Sequence, residues 1–234
     1  NYKITFDAAK RVWRLNTDGG FDDIVFRYST DGSEPSADSL SFKDSIEFTQ
    51  PSGIKAAPFR RDRKYELSKP FALVANKALG KPVKFAKPID KRYEKACEMA
   101  LTDGILGSGD FSDGIWAGWQ GADLDATIDL GLRASLNSIA VNFMQQSGSW
   151  IVLPRTVTFY ASDDGGNWAE LQSTETKADA MDMSSAIRNI RFVAKRSISA
   201  RFVRVEAVQF GKLPQGHNGV GGDSWIFADE IVVE

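Results

Sequence analysis

Apolar and polar residues alternate with a period of two along most of this chain, which predicts strands. In the first part, Ile24, Phe26 and Tyr28 face one way against Val25, Arg27 and Ser29. Asp31-Gly32 then predicts a turn, because glycine accepts the positive φ that tight turns require. Ser45–Thr49 and Gly53–Phe59 read as further short strands. Pro58 places the second of these at a sheet edge or at a strand end, since proline has no N–H to give a ladder. No segment in this part carries ten residues of helical period. The alternation is stronger further on. Ala126, Ile128 and Leu130 share a face, as do Ile139, Val141 and Phe143. Arg155–Leu171 reads as a hairpin with Val157, Phe159 and Ala161 inward and Asp164-Gly165-Gly166 at its tip. AIRNIRFVA, ARFVRVEAV and WIFADEIVVE complete the series. Short strands at this spacing predict an all-β chain built from antiparallel sandwiches.

Asn76–Asp90 is rich in lysine and proline and separates two differently spaced sets of strands. It reads as a link running into the first strand of a second domain, dividing the chain at 1–78 and 79–234. Composition narrows the partners. The chain has 29 basic and 31 acidic residues and a net charge of −2, so nothing draws it electrostatically to nucleic acid. No apolar run approaches the ~20 residues of a membrane span. The polar start at Asn1 lacks a signal region, which implies either removal of a leader or a piece of a longer protein. A single cysteine, Cys97, excludes an intramolecular disulfide framework and any multi-cysteine metal site.

Two stretches resemble known families. Tyr28, Asp31, Gly32, Ser33, Pro35 and Ser36, followed by Ile54-Lys55-Ala56, resemble the small fibronectin-III-like domain near the C-terminus of chitobiase-type β-hexosaminidases. LTDGILGSGDFSDGIWAGW (Leu101–Trp119), then DLDATIDLG, SGSWIVLPRTVTFYASDDGGNW, ARFVRVEA and SWIFADEIVVE resemble the discoidin-like, or coagulation-factor type C, domain. That galactose-binding-like jelly roll includes the family 32 carbohydrate-binding modules, and the resemblance covers roughly residues 81–234. The pair together resembles the C-terminal end of Bacteroidetes family 20 glycoside hydrolases. The catalytic barrel of those enzymes, with its His-x-Gly-Gly-Asp-Glu stretch, is missing from this sequence. The resemblance therefore implies a non-catalytic accessory part of a β-N-acetylhexosaminidase-like enzyme, with a periplasmic, cell-surface or secreted location. Its partners would be a galactose- or N-acetylhexosamine-containing glycan and the parent's catalytic domain.

The resemblance also implies one structural calcium, held by Asp103 and Glu230 with carbonyls of the 101–113 loop and near Ala228. Asp110 and Asp113 join them as candidate ligands. From the residues alone, Glu230 shares a face with Ile226, Ala228 and Val232, which puts an acid at the sandwich end or beside a partner. The same aspartates are equally readable as solvated turn formers. For sugar recognition, aromatic rings must lie against C–H faces and planar polar groups must meet hydroxyls, on loops at one end of a sandwich. Trp119, Trp150 and Trp225 lie in or beside such loops; Gln145, Gln146, His217 and Asn218 supply amides and an imidazole. The alternative is that loop tryptophans cover the open ends of a small sandwich, leaving both domains as scaffold for a catalytic barrel or a second subunit. Trp13 and Trp168, next to strand patterns, read as packing residues, and the resemblance implies that Trp116 is core. No nucleophile elbow accompanies His217, and Asp110/Asp113 and Asp163/Asp164 sit in turns where water keeps both acids ionised, so no catalytic residue is expected. The run RRDRK (Arg60–Lys64) is broken by Asp62 and reads as a solvated hairpin end.

Overall fold

Period-two alternation becomes two packed sheets in the second part of the chain. The computed structural model describes residues 2–17, 23–50, 54–65, 72–94 and 99–234. Gly53, the first residue of one expected strand, and Cys97 lie outside them. The strands are β1 (Tyr2–Asp7), β2 (Val12–Thr17), β3 (Ile24–Ser29), β4 (Leu40–Phe42), β5 (Ser45–Phe48), β6 (Lys55–Arg60), β7 (Arg63–Lys64), β8 (Ala72–Leu73) and β9 (Val83–Phe85). They continue as β10 (Ile105–Leu106), β11 (Ala117–Gln120), β12 (Leu124–Ser135), β13 (Ser138–Gln146), β14 (Thr156–Ser162), β15 (Ala169–Glu175), β16 (Ser185–Val193), β17 (Ser199–Val208) and β18 (Trp225–Val233). Among the described residues no helix is long and apolar enough to cross a membrane.

The larger sandwich pairs a five-stranded sheet, β15-β14-β17-β12-β9, with a four-stranded sheet, β11-β18-β13-β16. Its core is formed by the inward residues that the alternation picks out: Ala126, Ile128 and Leu130, Ile139, Val141 and Phe143, and Val157, Phe159 and Ala161. This is the jelly-roll arrangement, and the chain is all-β as expected. The Asp129-Leu130-Gly131 step shows how the chain handles an interruption. Pairing of β12 with β17 shifts register between Asp129 and Ala134. Gly131 turns there at φ +86, its N–H donates to Asp129 Oδ1 at 2.8 Å, and Arg201 grips the same carboxylate through two bonds of 2.8 and 2.7 Å.

The N-terminal part forms two small antiparallel sheets, β1-β2-β5 and β4-β3-β6-β7. Asp31 closes the expected turn by accepting from Ser33 N–H at 2.9 Å. Tyr28, Phe42 and Phe48 meet at ring separations of 5.8–5.9 Å. Pro58 pairs with Phe26 of β3, whereas β7 reaches only Phe59 and Arg60, so the proline stands just past the end of that ladder with its carbonyl taking the Tyr65 N–H at 2.8 Å.

The two parts are joined by more than a link. β8 pairs with β10, Lys77 N–H donates to Val233 O at 2.8 Å, and Asn76 Nδ2 donates to Glu230 Oε1 at 3.3 Å. Residues 72–78 thus make their hydrogen bonds with the jelly roll. Trp13, fully buried on β2, packs with Leu79 and Ile105, with Ile4, Phe6, Leu73 and Ile115 around them. Its indole N–H donates to Asp103 O at 2.9 Å.

The last strand is a correction. The phase Ile226, Ala228, Glu230, Val232 assumes uninterrupted alternation. Instead Phe143 pairs with Ala228 and Val141 with Ile231, so Asp229 and Glu230 together oppose one residue of β13. This β-bulge shifts the phase by one: Ile226, Ala228, Ile231 and Val233 enter the core, while Val232 does not.

Two expectations follow. A Cβ at Gly104, where φ is +72, would lie 2.6 Å from Val74 O and 2.8 Å from Trp13 Cζ2. Gly104→Ala should therefore cost at least about 2 kcal/mol of stability, read by chemical denaturation. Asp129 is held down to about 2 from its ordinary 3.8, first by Arg201 and then by the Gly131 N–H. A depressed carboxylate pKa contributes stability above the unfolded value and loses it as pH falls through the folded one. Asp129→Asn should therefore lower the Tm near neutrality, and its difference from wild type should shrink between pH 4 and 2.

Candidate functional site

Loops that leave the strands at one end of the jelly roll carry an unusual density of aromatic rings. β13 ends in a single 3-10 turn, Ser147–Ser149, after which Trp150 takes the left-handed conformation, φ 68 and ψ 10. Positive φ is rare and strained for so bulky a residue, so its surroundings must hold it there. They are glycines. A Cβ at Gly219 would lie 2.3 Å from the Trp150 ring, and one at Gly222 would lie 3.2 Å from it. The glycine-rich crossover therefore lets backbone lie flat against the indole, where any side chain would push it away.

His217 and Asn218 fasten this arrangement. His217 is 3% exposed; its Nδ1 accepts from Gly219 N–H at 2.9 Å, which leaves Nε2 as the donor to Ser147 O, also 2.9 Å. Asn218 Nδ2 donates to Gly148 O at 2.9 Å. Both residues lace the 211–224 crossover to the 147–150 turn, and Trp225 N–H donates to Trp150 O at 2.9 Å. Gln145, also buried, donates to Asp182 Oδ2 at 2.7 Å. The Asp182 carboxyl is held below its usual range by hydrogen bonds from Ser184 and then from Gln145. Gln146 is half-buried and closes the turn through its backbone to Ile151.

The three loop tryptophans part company. Trp150 stays partly exposed. Trp119 does not: it is 1% exposed, packs in the main core, and donates to Lys87 O at 3.2 Å. It sits two residues after Ala117 on β11, so both point between the sheets. Trp225, 6% exposed, lies beneath the Arg92 guanidinium, 4.4 Å from its ring centre. The placement of these two rings at the surface is thus corrected. Trp116 is buried as expected, its indole N–H on Ser108 O at 3.0 Å.

Three residues not singled out in the sequence complete this end. Tyr93 stands edge-on to Phe227 at 4.6 Å and to Trp225 at 5.2 Å, with Phe111 6.3 Å away. Tyr93, Phe111 and Trp150 are all partly exposed members of one cluster, over buried Trp116, Met144, Ile151, Trp225 and Phe227. Arg92 is steered onto Trp225 by Asp90, through bonds of 2.9 Å, and by Gln120 at 2.7 Å. Asp90-Lys-Arg-Tyr lies at the end of a segment that reads as a link, and Phe111 lies among turn formers. Arg92 beside Tyr93 was a signal for the first; Phe111, between Asp110 and Ser112, had none.

The four candidate metal ligands are not gathered. Asp110 Oδ1 accepts from Ser112, and Asp113 accepts from Ser108 and from Ile115 N–H, as turn formers do. Asp103 Oδ1 accepts from Ile105 N–H at 3.0 Å. Glu230 Oε1 accepts from Gly104 N–H at 3.0 Å. The carbonyls that would join them each accept an N–H: Leu101 from Ile231, Thr102 from Gly80, Asp103 from Trp13 and Gly104 from Val74. Calcium wants roughly six to eight converging oxygens; of the four acids, Asp103 and Glu230 both bind backbone N–H groups around Gly104, whereas Asp110 and Asp113 are taken up in turns. Among the described residues no group of three or more acidic, histidine or cysteine side chains could hold a metal.

A cleft of about 300 Å³ lies at the opposite end of the sandwich, floored by Leu171, Ile198 and alanines. Its acidic rim is already served. Arg133 spans it from Ser199 Oγ to Asp163, and Asp164 is held far below its usual range, first by the Asn167 N–H.

Comparison with known proteins agrees with this architecture. The F5/8 type C domain profile matches residues 86–222, more than half of the chain. Among solved structures, chitosan-binding module 1 from a chitosanase/glucanase of Paenibacillus sp. IK-5 is 19% identical at TM-score 0.41, covering 69% of this chain and 99% of that one. CpGH89CBM32-6, produced by Clostridium perfringens, is 13% identical at TM-score 0.39, covering 66% and 92%. SpGH29 is 16% identical at TM-score 0.41, covering 68% of this chain but only 27% of that one. No curated protein sequence matches at a significant level. From the strand order of its second part and the match across residues 86–222, the chain belongs to the F5/8 type C, or discoidin-like, domain family.

Proposed function

We propose that this chain is a carbohydrate-binding accessory module whose jelly roll recognises a glycan at the Trp150 end. The observation that carries the reading is Trp150 itself. It is a partly exposed indole, held in a strained backbone conformation and backed by glycines, on a loop at the end of a sandwich. Strain of this kind persists only where the surroundings over-determine it, and it concentrates at ligand sites. Tyr93 and Phe111 extend the apolar surface on which sugar C–H faces would lie. Gln146 stands beside Trp150 as a polar partner for hydroxyls. Such a surface buries few sugar atoms, so single-site affinity would be weak, and its use would be to tether an attached enzyme near its substrate.

The resemblance supports a more specific setting. In it the N-terminal part is a fibronectin-III-like spacer, the parent is a family 20 β-N-acetylhexosaminidase-like hydrolase, and the glycan contains galactose or N-acetylhexosamine, met outside the cytoplasm. A second reading, a scaffold that binds no sugar, draws on the burial of Trp119 and Trp225.

A glycan array followed by titration separates the two. Trp150→Ala should weaken binding at least about tenfold, as loss of an aromatic anchor does. Trp119→Phe should leave it unchanged. Absence of binding to every glycan at millimolar ligand would favour the scaffold. We infer as well that protein groups, and not calcium, hold the 101–113 loop. Excess chelator should leave the Tm of the chain where it was; a clear fall would restore the metal.

A further inference from the structure

The 103–116 loop is fixed from two sides, and one of those sides is the N-terminal part. Trp13 donates to Asp103 O at 2.9 Å, Ile105 and Leu106 pair with β8, and Ile115, at the far end of the loop, packs in the same cluster as Trp13. From the jelly roll, Glu230 takes the Gly104 N–H at 3.0 Å and Asp229 Oδ2 takes the Gly107 N–H at 2.8 Å. Trp116 fills the space beside Gly107, where a Cβ would lie 2.3 Å from its ring, and Asp113 ties Ser108 into a turn. What this anchored loop presents is Phe111, 6.3 Å from Tyr93 and 6.0 Å from Phe227.

We propose that the N-terminal part, besides any spacing it provides, is a working component of the ligand end: Trp13 is a positioning residue that fixes the 103–116 loop and, through it, Phe111. An unconstrained loop of this length would sample many conformations, and any glycan contact through Phe111 would bear the cost of ordering it. The indole N–H and the apolar cluster around Trp13 discharge that cost during folding. The link to binding rests on the carbohydrate reading above; the link to the loop does not.

The test uses the full chain with two substitutions. Trp13→Phe keeps an aromatic ring against Leu79, Ile105 and Phe6 but deletes the N–H. Its amides between Gly104 and Ile115 should exchange with deuterium about tenfold faster, the expected effect of losing one buried hydrogen bond. Those of residues 217–222 should be unchanged, and glycan affinity should fall about fivefold while the Tm falls by only a few degrees. Exchange that is unaltered at 104–115, or that rises equally at 217–222, overturns the positioning role. Phe111→Ala should reproduce the loss of affinity without altering exchange at Gly104 and Ile105. If Phe111→Ala binds like wild type, the loop is not part of the ligand end and the proposal fails. Should the wild type bind no glycan, the carbohydrate reading falls, and the exchange measurement alone decides whether Trp13 fixes the loop.

Discussion

Two adjacent acids in one bulge, Asp229 and Glu230, determine where the irregular half of the jelly roll sits. Both are fully buried. Straight alternation would send neighbouring residues to opposite faces of β18. The bulge sets the pair against the single residue Asn142 and lets both carboxylates reach the 104–107 backbone. A buried carboxylate is costly unless donors satisfy it, and here backbone N–H groups are among the donors. The dependence is therefore mutual: the loop donates to both acids, and the acids replace the regular ladder that the loop lacks. Asn142 Nδ2 and Asn76 Nδ2 add donors from a neighbouring strand and from the segment that enters the domain.

That accounting extends to the 101–104 carbonyls. Buried carbonyls must be paired, and Trp13, Val74, Gly80 and Ile231 pair them. Two of those partners arrive through the N-terminal part and the segment that follows it. A domain boundary drawn by composition at residue 78 cuts through this set, because lysine and proline content says nothing about where a segment's hydrogen bonds go. β8 lies well before that boundary and is bonded to β10 beyond it.

The inward faces of β12, β13 and β14 were legible in the sequence because a sheet between core and solvent imposes its period on residue choice. Trp13 was legible as a packing residue from its strand, and Trp116 through the family resemblance. The phase of β18 was not, since a bulge leaves no compositional mark when its two residues are both acids and the flanks are all apolar. Trp119 was misplaced for a related reason: β11 is four residues long, too short for alternation to separate strand from loop. At the candidate site, residue type was readable and role was not. His217 and Asn218 have the chemistry to meet hydroxyls, but donors and acceptors of that kind serve equally well to tie two loops together, and only distances distinguish the uses. Tyr93 and Phe111 were hidden because their importance arises from distant segments meeting at Phe227 and Trp225.

The same economy runs through the whole aromatic end. A shallow surface cannot gain much from contact area, so its affinity depends on how little must be ordered when a ligand arrives. Trp150 is held at positive φ against the Gly219 and Gly222 backbone; Arg92 is set over Trp225 by Asp90 and Gln120; the Phe111 loop is anchored by Trp13, Asp229 and Glu230. Each device spends folding energy on fixing a ring or its loop. Burial of Trp225 belongs to this pattern. With Trp116, Met144, Ile151 and Phe227 it forms the floor that keeps partly exposed rings in place, which is a different task from touching the ligand and one that a purely structural sandwich end would have less reason to build around a strained indole.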